Sequence, residues 1–175
     1  MQTLRDILYG VKIRGVVGST ERMVNAPVID SRKSTSGSLF IAARGVAKDG
    51  HQFIDTAIAN GAIAVVCEAF PSNLSDDVTY VQVENSLPAA GIIAHNFFNR
   101  PSERLKLVGV TGTNGKTTIA TLLYKLFTSL GFQTGLISTV QNHIGETVVP
   151  ATHTTPDAIS LNRLLHEMVD AGCSY

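Results

Sequence analysis

The sequence has no tryptophan and only two cysteines, Cys67 and Cys173, which lie far apart and outside any Cys-x-x-Cys spacing. That argues against a disulfide-stapled scaffold or a zinc knuckle, and it suits a reducing compartment. An excess of one charge is missing too, because 14 Lys+Arg balance 14 Asp+Glu. The balance is local, with ten of each sign in residues 1–104 and four of each in residues 105–175. A chain-wide electrostatic grip on nucleic acid or an anionic membrane is therefore not expected. The longest apolar run, Ala62 to Cys67, is far short of the ~20 residues of a membrane helix. Arg5 and Asp6 stand where a signal peptide would need apolar residues. What is present is core material: 44% hydrophobic against 16% charged residues over 175 positions, enough for one large domain or two small ones. A soluble, cytoplasmic, globular protein is expected.

Strand-like and helix-like segments alternate, which predicts an α/β fold. Thr3 can cap a short helix carrying Leu4, Ile7 and Leu8 on one face. Val28–Asp30 and Leu39–Ala42 read as strands, with a polar turn from Ser31 to Ser38 between them. A helix from about Gly50, capped by Asp49, would bury Phe53, Ile54, Ala57 and Ile58 and stop at Gly61. Ala62–Cys67 and Val78–Val83 are further strands, and a helix capped by Asn85 or Ser86 runs to about Phe98. Gly15 to Gly18 reads as a connection and Asp76-Asp77 as a solvated turn. Polar residues and a proline at 99–104 mark a boundary, giving units at 1–100 and 105–175 with a linker at 101–104. The second unit opens with a strand at Leu105–Val110, a glycine-rich turn and a helix from Thr117 to Leu130. A strand at Gly135–Ile137 follows, then a helix starting at Thr155-Pro156 and closed by Gly172. A parallel βα pattern predicts another strand from Cys173-Ser174-Tyr175, so the chain is expected to be the N-terminal part of something longer.

The strongest chemical signal is Val110-Thr111-Gly112-Thr113-Asn114-Gly115-Lys116-Thr117-Thr118, set between a strand and an amphipathic helix. Glycines let backbone N–H groups turn inward around phosphates, and the following helix presents its positive end to them. Lys116 supplies a mobile positive charge for the β- and γ-phosphates, and Thr117 a hydroxyl for Mg²⁺. The loop departs from the usual Gly-x-x-x-x-Gly-Lys-Ser/Thr pattern, since Val110 stands where the first glycine belongs. The five histidines show no metal-ligand spacing; His95 and His166 sit in predicted helices, where a surface or packing role is the better reading. Cys67 ends a buried strand and should be an inert small apolar residue.

Thr-Gly-Thr-Asn-Gly-Lys-Thr-Thr resembles the phosphate loop of the Mur ligase family, the ATP-dependent amide-bond-forming enzymes of peptidoglycan synthesis. Ile29-Asp30-Ser31-Arg32, Gly37–Ala42 and Lys48-Asp49-Gly50-His51 with Phe53-Ile54 continue the likeness in the uridine-nucleotide domain. Thr152-His153-Thr154-Thr155-Pro156-Asp157 resembles the ligases that add an amino acid to UDP-N-acetylmuramoyl-L-alanyl-D-glutamate. The resemblance implies a substrate-binding domain followed by the start of a P-loop ATPase domain on a parallel sheet. It implies ATP bound by Gly112 to Thr118 and Mg²⁺ held by Thr117 with an acidic partner beyond residue 175. Ser31 and the loop from about Val46 to Lys48 would contact the uridine part, and Thr154 and Thr155 the muramoyl-dipeptide. The incoming amine would be meso-diaminopimelate or L-lysine, and a carbamylated lysine and an amine-binding domain would also lie beyond residue 175. Residues 1–175 alone would then be inactive. Taken alone, Thr155 reads as a plain helix cap, Ser31 as a turn residue and Asp30 as an ion-pair partner of Arg32. A P-loop regulator would explain the lysine loop but not the other segments. A small nucleotide kinase is disfavoured because only Arg163 follows Arg104.

Overall fold

The computed structural model describes residues 1–45, 49–150 and 156–175, which divide into two compact units, Met1–Phe97 and Phe98–Tyr175. In the first, β1 (Gln2–Thr3) leads into α1 (Leu4–Ile7), and the Thr3 hydroxyl accepts the Asp6 N–H at 3.2 Å. Leu4, Ile7 and Leu8 are buried, as their spacing predicts. The segment read as a connection, Gly15 to Gly18, falls mostly within a strand, β2 (Ile13–Val17), and β3 (Met23–Val24) pairs with β1. β4 (Ala26–Val28), β5 (Ser38–Ile41), a 3-10 turn at Gly50–Phe53 and α2 (Ile54–Ala59) follow. β6 (Ala62–Cys67), β7 (Thr79–Val83) and α3 (Ser86–Phe97) complete the unit.

Its five-stranded sheet has the order β2-β7-β6-β5-β4, parallel throughout except for antiparallel β2 at the edge. Parallel strands are covered on both faces, so β5 and β6 are almost uniformly apolar. Phe40, Val65 and Tyr80 pack with Ile54 and Ala57 of α2. Each fully buried large side chain of this kind contributes ~1.5–3 kcal/mol. Phe53, expected within that buried stripe, is 37% exposed because the 3-10 turn rotates it away from the α2 face. Asn85 caps α3 by accepting the Leu87 N–H at 3.1 Å, and Pro88 falls in the first turn, where no N–H is needed.

In the second unit Pro101–Glu103, within the expected linker, is a 3-10 turn packed on the last helix. The expected strand at 105–110 is not regular. Among the described residues its one ladder bond runs from the Lys106 N–H to the Ser174 carbonyl, at 2.9 Å. A strand is defined by its neighbours, and here one residue supplies them. Ser174 also donates to the Gln133 carbonyl at 2.8 Å, so it is held from both sides, as in a sheet interior. Helix α4 (Lys116–Ser129) follows, then β8 (Gly135–Leu136), β9 (Gln141–Ile144) and β10 (Thr147–Pro150), an antiparallel sheet ordered β10-β9-β8. The hairpin of β9 and β10 is additional to the sequence expectation. Helix α5 (Ala158–Asp170) begins later than expected. Its cap is Asp157, whose carboxylate accepts the Ile159 and Ser160 N–H groups, each at 2.9 Å. Among the described residues no helix is long and apolar enough to cross a membrane.

Candidate functional site

Gly112 has φ 147° and Gly115 φ 78°, both in the region glycine favours. Gly115 is the residue before α4, and a Cβ there would meet no atom within 4 Å. Backbone conformation, not crowding, is therefore what demands glycine. The first helical bond runs from the Ile119 N–H to the Gly115 carbonyl at 2.9 Å. The N–H groups ahead of Ile119 belong to the first turn, which has no intrahelical acceptors to offer them. They and the helix dipole make the start of α4 attractive to an anion.

Lys116, the first helical residue, folds back over the loop and donates to the Gly112 carbonyl at 2.7 Å and the Thr113 carbonyl at 3.2 Å. The ammonium thus stands over the turn formed by Gly112, Thr113 and Asn114. Thr117 is half-buried and Thr118 exposed. The Thr117 hydroxyl lies 3.3 Å from that of Thr139, which follows β8. Sequence reading missed Thr139, since 22 residues separate the two threonines and nothing local links them. Both line a cavity of about 350 Å³ together with Lys116, Ser138 and the inner face of α4 at Ala120 and Tyr124. Two hydroxyls suit a small hard cation held mainly by phosphate oxygens and water, the usual manner of Mg²⁺. Among the described residues no cluster of three His, Cys, Asp or Glu could hold a metal unaided.

The first unit places Ser31 at 6% exposure in a 3-10 turn, Ser31–Lys33, which Asp30 caps shortly after β4. Its carbonyl accepts the Asn60 side-chain amide at 3.0 Å, which ties the turn to the end of α2. Asp30 forms a two-pronged pair with Arg32, at 2.9 Å to Nε and 2.8 Å to Nη2. The Arg32 hydrogen bond pulls the Asp30 carboxyl down to about 2. Val46–Lys48, Thr154 and Thr155 lie outside the described residues. The described cap of α5 is Asp157, so the helix begins later than the expected start at Thr155-Pro156.

The remaining candidates have structural surroundings. His166 packs on Phe98 with ring centroids 5.9 Å apart, and His143 on Tyr124 at 4.7 Å. Burial raises the Cys67 thiol to about 11, which leaves it protonated and unreactive.

A glycine–lysine turn heading a helix, with the lysine ammonium folded over the turn, is the arrangement of a phosphate-binding loop. Residues 27–101 match the family described as Mur ligase family, catalytic domain, and residues 110–175 match the Mur ligase middle domain. The chain belongs to the Mur ligase family. It is 57% identical over 173 residues to the UDP-N-acetylmuramoyl-L-alanyl-D-glutamate--2,6-diaminopimelate ligase of Cytophaga hutchinsonii, a match covering 98% of this chain and 36% of that protein. The ligase of the same name from Bacteroides fragilis is 49% identical over 172 residues, with the same coverage of each. The chain thus spans about a third of the length of these curated relatives. A solved structure of a ligase of that name superposes with a TM-score of 0.72 at 25% identity, over 99% of this chain and 34% of that one. The MurF ligase from Thermotoga maritima, solved in complex with ADP, gives a TM-score of 0.53 at 26% identity, over 83% of this chain and 29% of that one.

Proposed function

We propose that these residues form the nucleotide-sugar-binding and phosphate-binding part of a MurE-type ligase. Its reaction would join 2,6-diaminopimelate to UDP-N-acetylmuramoyl-L-alanyl-D-glutamate at the expense of ATP. The observation that carries the reading is the Lys116 ammonium poised over the Gly112–Asn114 turn at the start of α4. On this reading Gly112 to Thr118 cradle the phosphates of ATP. Residues 1–100 hold the uridine end through Ser31 and the backbone of the 46–48 loop, and Thr154 and Thr155 meet the muramoyl-dipeptide. Residues 105–175 contribute the first part of the ATPase domain, joined through 101–104.

The γ-phosphoryl group would pass to the substrate's free carboxylate, giving an acyl phosphate and ADP. The amine would then attack the acyl carbon, and the tetrahedral intermediate would collapse by expelling phosphate. Lys116 would neutralise charge spreading over the β–γ bridge as transfer proceeds, a role that acts on the transition state more than on binding. Mg²⁺, when bound, would offset the charge of the phosphates. Thr117 would hold it, with Thr139 supplying a second hydroxyl beside it. Loop and helix start would orient the chain of phosphates for in-line displacement.

The test is calorimetric titration of the 175-residue chain with UDP-N-acetylmuramoyl-L-alanyl-D-glutamate, beside ligation by a polypeptide of the relatives' full length. Saturable binding by the chain and diaminopimelate-dependent ADP release by the longer polypeptide are expected. We expect the 175 residues alone to form no amide bond. A folded chain with no affinity for the uridine nucleotide-sugar would overturn the reading.

A further inference from the structure

The Thr139 hydroxyl can serve a phosphate-bound cation only if the chain holds it still. Packing does not hold it, because Thr139 is exposed and its neighbour Val140 is 71% exposed. Its contact with Thr117, hydroxyl to hydroxyl at 3.3 Å, is too long to anchor a turn. The connection between β8 and β9 is instead closed by hydrogen bonds around its tip. The Ser138 hydroxyl donates to the Gln141 carbonyl at 2.7 Å, and the Gln141 N–H approaches the same hydroxyl oxygen at 3.4 Å. Asn142 Oδ1 accepts the Ser138 N–H at 3.2 Å. Asn142 is only 7% exposed, and its backbone sits in β9 opposite Val149 of β10. A buried side chain on a paired strand therefore reaches across to fix the residue just before Thr139.

The hairpin that carries Asn142 is itself fastened to α4. Tyr124 donates from its hydroxyl to the Gly145 carbonyl at 2.9 Å, and its ring lies 4.7 Å from that of His143. Tyr124 follows Thr117 by two helical turns, so both stand on one face of α4. The same face thus holds the hairpin at one end and meets Thr139 at the other. The distance between the two threonine hydroxyls is what this arrangement sets. Neighbouring oxygen ligands of an octahedral Mg²⁺ stand ~3 Å apart, close to the separation already present without a ligand.

We propose that Asn142 is a positioning residue for the metal end of the nucleotide: by accepting the Ser138 N–H it holds the turn that keeps the Thr139 hydroxyl beside that of Thr117. The proposal rests on the function proposed above. Partners that orient a metal ligand from behind commonly change metal affinity by about tenfold or more when removed.

The test is titration of the 175-residue chain with ADP, with and without Mg²⁺, beside a melting curve for each variant. The quantity read is the factor by which Mg²⁺ tightens ADP binding. N142L fills the space but accepts no hydrogen bond, whereas N142D keeps the acceptor and buries a charge. T139V removes the hydroxyl itself, and T139S keeps it. N142L and T139V should each cut the magnesium factor about tenfold, while N142D and T139S stay within about threefold of the parent. Affinity for ADP without metal should be equal throughout, because Gly112 to Thr118 are untouched. Burying a carboxylate should make N142D melt no higher than N142L, so a purely structural asparagine would put the larger loss in N142D. A parental magnesium factor in N142L, or equal cuts in N142L and N142D, overturns the role of Asn142 alone. A folded parent chain that binds ADP no more tightly with Mg²⁺ overturns it too, by removing Thr139 from the metal. No ADP binding by the folded parent, with or without Mg²⁺, overturns the phosphate-loop reading itself.

Discussion

Replacing Lys116 with alanine should separate phosphate handling from folding. In the folded chain the ammonium donates to the Gly112 and Thr113 carbonyls, at 2.7 and 3.2 Å, from an exposed position. Exposed bonds of this kind contribute at most ~1 kcal/mol, so the melting temperature should fall by only about 2–4 °C. Against a phosphate the same charge is worth more. Unit charges ~4 Å apart near a protein surface attract by ~4 kcal/mol. Giving up the carbonyl bonds leaves ~3 kcal/mol, or roughly 10²-fold in turnover. The assay is steady-state ligation by a polypeptide of the relatives' full length, across a magnesium titration. On the proposed reading Thr117→Ala removes a metal ligand, so added Mg²⁺ should partly restore it, but should not restore Lys116→Ala. Neither change should weaken uridine-nucleotide binding, because Ser31 belongs to the other unit. Near-normal turnover in Lys116→Ala refutes the phosphate-loop reasoning, and a large drop in melting temperature would place the loss in folding instead.

Gly115→Ala should cost ~1–2 kcal/mol through its φ of 78° alone, since the space around it is open, and Gly115→Asn should cost less; urea unfolding checks both. Asp157→Ala removes two 2.9 Å cap bonds and should destabilise the second unit by ~0.5–2 kcal/mol, read by urea unfolding followed by far-UV circular dichroism. Asp30 titrates near 2 when folded, so its pairing with Arg32 stabilises above the ordinary carboxylate range and is lost as pH falls from about 4 to about 2. The pair is exposed on the arginine side, so Asp30→Asn should cost under ~1 kcal/mol at pH 7, and melts at pH 2 should no longer distinguish the two proteins.

The first unit was largely legible in the sequence because its signals are local and mutually consistent. Ala62–Cys67 is apolar on both faces, and Thr3, Asp49 and Asn85 each cap the segment that follows them. β2 escaped because an edge strand with both faces partly exposed carries no alternation, and Gly15 within it reads as a breaker. The β9–β10 hairpin escaped for a related reason, since Gly145-Glu146 is a weak turn signal between strands of mixed polarity.

The second unit departs from its sequence pattern where structure depends on distant partners. Leu107 and Val108 have the composition of a buried strand, yet they are 55% and 59% exposed. Propensity proposes a strand, but the ladder decides it. The cap of α5 follows the same logic at short range. Thr155 and Asp157 flank Pro156, and both are good capping residues. Proline pushes the residue before it towards extended backbone, which suits Thr155 as a cap. It does not forbid a start two residues later, where the Asp157 carboxylate reaches two N–H groups at once. The loop motif alone pointed to Gly112, Gly115 and Lys116, because left-handed backbone and a charged side chain are legible from residue type. Thr139 could come only from the fold: β8 returns beside the start of α4 and brings its hydroxyl to Thr117.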